Sequence, residues 1–160
     1  LSALPGVGLA DIVGRDDAGR WLALRFVPGP SLTHWAQHRA LPAIVSARAY
    51  VSPRATLGPA VQVLHGAIVN ADASIGANTI VNSKALIEHE ATIGADCHIS
   101  TGAIINGRTS LGPRTFLGSG AVVLQSLELS GDITVGAGAV VARPLTRPGT
   151  YVGVPARPLP

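Results

Sequence analysis

The chain has 160 residues, 47% of them hydrophobic, yet only 4% are aromatic and 13% charged, about half the charge of a typical soluble domain. The aliphatic content excludes a disordered chain, the lone Cys97 excludes a disulfide scaffold, and Gly, Pro, Gln, His and Asn break every long uncharged run, so no membrane span is expected. A net charge of +3 is a mild bias that suits a phosphate-bearing small molecule as well as nucleic acid; of the two the small molecule is expected, and no nucleic-acid partner.

Leu1 opens the sequence and no Met occurs in it, so the natural start is expected to be missing and no signal peptide can be read. Residues 1–42 hold three of the six aromatics, Trp21, Phe26 and Trp35. Ser31 to Arg39 reads as a short amphipathic helix capped by Ser31, with His34 and His38 as structural or solvated side chains.

From Val45 the pattern changes. Every sixth residue is aliphatic: Val45, Val51, Leu57, and so on through Val135 to Val141, without exception. Two residues before each stands a small one in 14 of 17 cases, such as Ala67, Ala85 and Cys97. A period of six fits neither a helix nor a meander of hairpins. It fits short strands joined by tight corners, three to a coil, in a parallel β-solenoid. The aliphatic residue and the small one both point inward, as strand alternation requires. A prism that thin has no room for rings, which explains the aromatic deficit. Nine of the 11 charged residues in 43–142 lie three positions after an aliphatic key, at the outward corner. The domains are read as 1–42, a short, incomplete-looking α/β N-terminal region; 43–142, the solenoid; and 143–160, a cap or tail.

This hexad resembles the hexapeptide-repeat family, whose solenoid is a left-handed parallel β-helix. The handedness comes from that resemblance, because the general crossover rule favours the right hand.

Two histidines at corners could carry chemistry. His65 has no acidic neighbour. His89 stands between Glu88 and Glu90, in a chain with only three Glu. A carboxylate on one ring nitrogen fixes the tautomer and leaves the other nitrogen to take a proton. The spacing alone leaves open a general base or a merely solvated charged corner. Residues 18 apart stack on one edge, so the edge of His89 reads Pro53, Ala71, His89, Gly107, Gln125 and Arg143. Gly107 leaves space beside the imidazole and a backbone N–H that could meet an oxyanion, or else only relieves the corner backbone. No metal is expected, because His89 and His98 fall on different sides and no zinc-ligand spacing occurs. Cys97, at an inward position, reads as a buried inert thiol.

The run from Asn82 through Glu88, His89 and Glu90 to Gly94, then Cys97 to Ala103, Phe116 to Gly118, and a closing Gly153-Val-Pro-Ala-Arg, goes beyond a generic hexad. Over roughly 41–157 the chain resembles the sialic-acid O-acetyltransferase and bacillosamine-type nucleotide-sugar N-acetyltransferase family. The resemblance implies a homotrimer with acetyl-CoA bound between adjacent β-helices. It implies that His89 is the catalytic base and Glu90 its orienting carboxylate. It places His98, Gly107, Ser119 and Ala137 on the cofactor side and Asn82 on the acceptor side. Family members carry a Rossmann-like domain before the solenoid. Region 1–42 is read as the remnant or ordered part of it, with Asp16 and Asp17 as acceptor-binding residues, although its Gly-rich loop is not visible. Arg143, Arg147 and Arg157 could meet CoA phosphates.

The resulting expectation is a cytoplasmic acetyl-CoA-dependent N-acetyltransferase of a nucleotide-linked amino sugar. A sugar or sialic-acid O-acetyltransferase is the near alternative. A non-catalytic solenoid scaffold and a γ-type metalloenzyme are the alternatives of other classes.

Overall fold

A computed structural model describes residues 10–12, 24–26 and 41–159. The chain divides into two units. Within the first, Leu1–Leu41, Ala10–Ile12 pairs antiparallel with Leu24–Phe26, Asp11 opposite Arg25. Asp16, Asp17 and the stretch 31–39 lie outside the described residues.

The second unit, Pro42–Pro160, is the solenoid. Each hexad contributes a two-residue strand and a corner. Three parallel faces result. Face I stacks Ile44–Val45, Gln62–Val63, Ile80–Val81, His98–Ile99, Phe116–Leu117 and Ile133–Val135. Face II stacks Tyr50–Val51, Ile68–Val69, Leu86–Ile87, Ile104–Ile105, Val122–Val123 and Val140–Val141. Face III stacks Thr56–Leu57, Ser74–Ile75, Thr92–Ile93, Ser110–Leu111 and Glu128–Leu129. The described residues contain no helix.

The register is 18 residues: Leu86 pairs with Ile104, and Thr92 with Ser110. The inward positions behave as alternation dictates. Ile87, Ile99, Ile105, Val123 and the small Ala85 and Ala103 are fully buried. Cys97 is buried among them, and that burial pushes its thiol above the ordinary range. No ring enters the interior of the regular coils: Tyr50 and Phe116 point outward.

The corners show why charge collects where it does. From Ala60 to Gly138 every sixth residue has a positive φ, between 56° and 68°. Four of these are Gly, four are Asn or Asp, and Lys84, Glu90, Arg108 and Arg114 are among the rest. This left-handed backbone costs an ordinary residue about 1–2 kcal/mol. In return it aims the side chain outward, where it meets the residue one coil away. Arg54 bonds Asp72 at 2.7 Å, Arg114 bonds Asp132 at 2.6 Å, and Asn78 bonds Asp96 at 2.8 Å, each across 18 residues.

Beyond Val141 the register changes. Leu129 bridges Leu145, and Val135 pairs with Tyr151, so the last coil is 16 residues instead of 18. The buried Tyr151 closes this shorter coil and donates to the Arg147 carbonyl at 2.8 Å. Arg157–Pro158 then returns antiparallel against Tyr151 and Val152, ending the parallel stack. Residues 145–152 therefore extend the solenoid past the last regular hexad.

Candidate active site

The corner after Leu86–Ile87 on face II carries Glu88, His89 and Glu90. Glu90 sits at φ 59°, which swings its carboxylate back toward the ring. Glu90 Oε2 lies 3.0 Å from His89 Nδ1 and also accepts from Arg108 Nε at 3.1 Å. These contacts hold the Glu90 carboxyl below the usual carboxylate range, the His89 hydrogen bond most and the Arg108 bond and charge next. A carboxylate only accepts, so Nδ1 is the donor in this pair, and in the neutral imidazole the lone pair is on Nε2.

The two carboxylates beside His89 do different work. Glu88 turns away from the ring. Its Oε2 accepts from Asn70 Nδ2 at 3.0 Å and from the His89 backbone N–H at 3.3 Å. It braces the corner, and Glu90 alone orients the imidazole.

Stacking places Gly107 one coil beyond His89: Arg108 N donates to the His89 carbonyl at 3.0 Å. The half-exposed imidazole lies over Gly107, where an added Cβ would stand 2.7 Å from Nε2 and 2.8 Å from Cε1. The Gly107 carbonyl accepts from Ser126, while its N–H donates to no described group. A depression of about 420 Å³ opens here, lined by Glu88, His89, Asn106, Gly107, Arg108 and Gln125. It thus combines a ring nitrogen with a free lone pair and a backbone N–H at hand.

The other sequence candidates form a second group. His98 is on face I, and face I lies opposite the edge that carries His89. Its Nε2 is 3.2 Å from Asn82 Nδ2. Asn82 Oδ1 accepts from the Ser83 N–H at 2.7 Å, which fixes the amide with Nδ2 as the donor to His98. Phe116 packs edge-on against the His98 ring at 5.3 Å. Ser119 and Ala137 are exposed neighbours on the edge between faces I and II, joined by the bond from Gly138 N to the Ser119 carbonyl. Thus His89, Glu90 and Gly107 come together on one edge. His98, Asn82, Ser119 and Ala137 gather on another face and the edge it leads into.

Sequence reasoning missed Arg108 and Asn70. Both lie 18 residues from a carboxylate of the corner, so the same stacking arithmetic finds them. Among the described residues no three His, Cys, Asp or Glu side chains converge as a metal site.

No family model and no curated protein matches the sequence. Solved structures do. A variant of perosamine N-acetyltransferase from Caulobacter crescentus, in complex with CoA and GDP-perosamine, is 37% identical over 76% of this chain and 58% of its own, with a TM-score of 0.74. The acetyltransferase domain of PglB from Neisseria gonorrhoeae, also solved with acetyl coenzyme A, is 34% identical over 79% of this chain and 62% of its own, with a TM-score of 0.77. WeeI from Acinetobacter baumannii is 26% identical over 73% of this chain and 57% of its own, with a TM-score of 0.71. The chain therefore spans about three fifths of the length of these neighbours. Its second unit is a left-handed parallel β-helix that belongs with the hexapeptide-repeat acyltransferases.

Proposed function

We propose that the chain is an acetyl-CoA-dependent N-acetyltransferase acting on a nucleotide-linked amino sugar. The observation that carries this reading is the His89–Glu90 pair at 3.0 Å, with Nε2 over Gly107. The neighbours with bound CoA, acetyl-CoA and GDP-perosamine support both co-substrates.

In the reaction the sugar amine attacks the thioester carbonyl of acetyl-CoA. His89 Nε2 takes the amine proton as the C–N bond forms. The carbonyl oxygen becomes an oxyanion and accepts the Gly107 N–H. The C–S bond then breaks, the carbonyl reforms as an amide, and the imidazolium returns its proton to the departing thiolate of CoA. Glu90 holds the ring in the reactive tautomer and stabilises the imidazolium while it exists. Because Glu90 is held ionised by Arg108 as well, that support persists into mildly acidic solution.

The site needs more than one copy of the chain. His89 and Gly107 stand on the edge opposite face I, whereas His98 is on face I itself and Asn82 at the corner where face I ends. The core of the prism separates them. A second copy, placing its face I and the edge of Ser119 and Ala137 against the His89 edge of the first, brings both groups to one cleft. Repetition of that heterologous contact closes a ring, here a homotrimer. Residues 1–42, with Asp16 and Asp17, would contribute to acceptor binding as part of the sugar-nucleotide region. The reaction is read as cytoplasmic, in keeping with acetyl-CoA as donor.

The test is acetyl transfer to UDP-, GDP- and dTDP-linked amino sugars, followed by release of the CoA thiol. Wild-type protein acetylates at least one of them, and His89→Ala loses about two or more orders of magnitude in kcat with the trimer intact by light scattering. Undiminished transfer by that variant refutes the assignment.

A further inference from the structure

The three edges of the prism differ in charge. On the edge between faces II and III, Arg54 is paired with Asp72 and Arg108 with Glu90. On the edge between III and I, Arg114 is paired with Asp132. The edge between I and II is unlike both. Its corners carry exposed Arg48, His65 and Lys84 in three successive coils. The backbone bonds from Gly66 N to the Arg48 carbonyl and from Lys84 N to the His65 carbonyl, each 3.0 Å, fix that stacking. No corner on this edge holds a carboxylate; beyond Lys84 come only Thr101, Gly102, Ser119, Gly120, Ala137 and Gly138.

The Lys84 side chain leans along this stack. A Cβ on Gly66 would stand 3.5 Å from Lys84 Cγ, so the lysine stem lies over the coil of His65 in the direction of Arg48. Coils are about 4.8 Å apart, so the cationic stretch spans roughly 10 Å of backbone. Stacked like charges repel, and on the other two edges Arg54, Arg108 and Arg114 each face an acid one coil away. An anion bound here replaces the missing acids. Arg48 supplies a planar fork of donors, Lys84 a point charge and His65 a ring N–H, a set suited to phosphate oxygens. The position along the edge assigns the anion. Asn82, which the family resemblance puts on the acceptor side, stands two residues before Lys84 on this edge, so the cations abut that half of the proposed site. Ser119 and Ala137 lie toward the other end of the same edge.

We propose that Arg48, His65 and Lys84 form the subsite for the diphosphate of the nucleotide-linked acceptor. This rests on the acetyl-transfer reading for the identity of the acceptor. The probes are inorganic pyrophosphate, UDP, GDP, dTDP and acetyl-CoA, titrated calorimetrically into wild-type protein and into the double variant Arg48→Gln, Lys84→Gln. Both side chains are exposed, and thermal melts verify folding. The expected result is a fall of about tenfold or more in affinity for the diphosphates, a weaker salt dependence, and unchanged acetyl-CoA affinity. The charge reversal Lys84→Glu lowers diphosphate affinity likewise. Diphosphate affinity untouched by these changes, or absent from the wild type, overturns the proposal. So does a parallel loss of acetyl-CoA affinity, which would assign the patch to the phosphates of CoA. Acetyl-CoA binding and transfer judge the acetyltransferase reading separately, since they can succeed while the diphosphate subsite fails, and the reverse.

Discussion

In the proposed mechanism, Gly107 is where a single hydrogen atom in place of a methyl group leaves room for the chemistry. A Cβ there would stand 2.7 Å from His89 Nε2, inside van der Waals contact. In Gly107→Ala the imidazole must rotate off its position, which breaks its alignment with Glu90 or blocks the space beside Nε2. Nothing else crowds that Cβ as closely, and the ring is half-exposed and able to move. The variant is therefore expected to fold with a thermal midpoint near that of the wild type while kcat drops at least about tenfold. Circular dichroism melts alongside steady-state transfer separate the two effects. At this scale His89, Glu90 and Gly107 were legible in the sequence, because a fixed 18-residue stack turns sequence distance into spatial neighbourhood. The residues by themselves did not divide the labour between Glu88 and Glu90; only the family resemblance singled out Glu90. That division depends on the left-handed backbone at Glu90, which turns one carboxylate toward the ring and leaves the other to bond Asn70.

The repeating element is a strand, a corner and a side chain that meets its counterpart one coil away. The corner costs backbone strain in every coil, and the ladders of paired side chains offset part of it. Asp132 illustrates the linkage. Its hydrogen bonds from Arg114, followed by the charge of that guanidinium, hold its carboxyl below the ordinary range. A depressed folded-state value stabilises the fold above the unfolded pKa, and that contribution disappears as pH falls through the folded value. Asp132→Asn should therefore melt below the wild type at neutral pH, with the gap closing as pH drops below about 4. The pair is exposed, so the gap is small. A gap that widens on acidification contradicts this role. The hexad fixed the number of strands and their register over 45–141 because every key residue is aliphatic. It could not announce the 16-residue coil that follows. Across Arg143-Pro144 the inward positions are Val141 and Leu145, only four apart, and the next is the ring of Tyr151. A pattern of period six carries no signal for that change.

For the whole molecule, the separation of its two sets of site residues governs the account. The sequence placed His89 and His98 on different sides by their nine-residue spacing, and the prism makes that separation physical. The composite site proposed here would account for candidate residues that stand on an edge and on the face opposite to it. The most direct test mixes two defective chains. His89→Ala lacks the base but keeps face I, and a variant with Asn82→Ala and His98→Ala keeps the base but lacks the face I partners. Each alone is expected to transfer acetyl groups poorly. Mixed, unfolded and reassembled together in equal amounts, they should recover about a quarter of the wild-type rate, the share of interfaces in a randomly filled cyclic trimer that unite an intact edge with an intact face. A mixture no more active than the average of its two components would contradict a site built between copies of the chain.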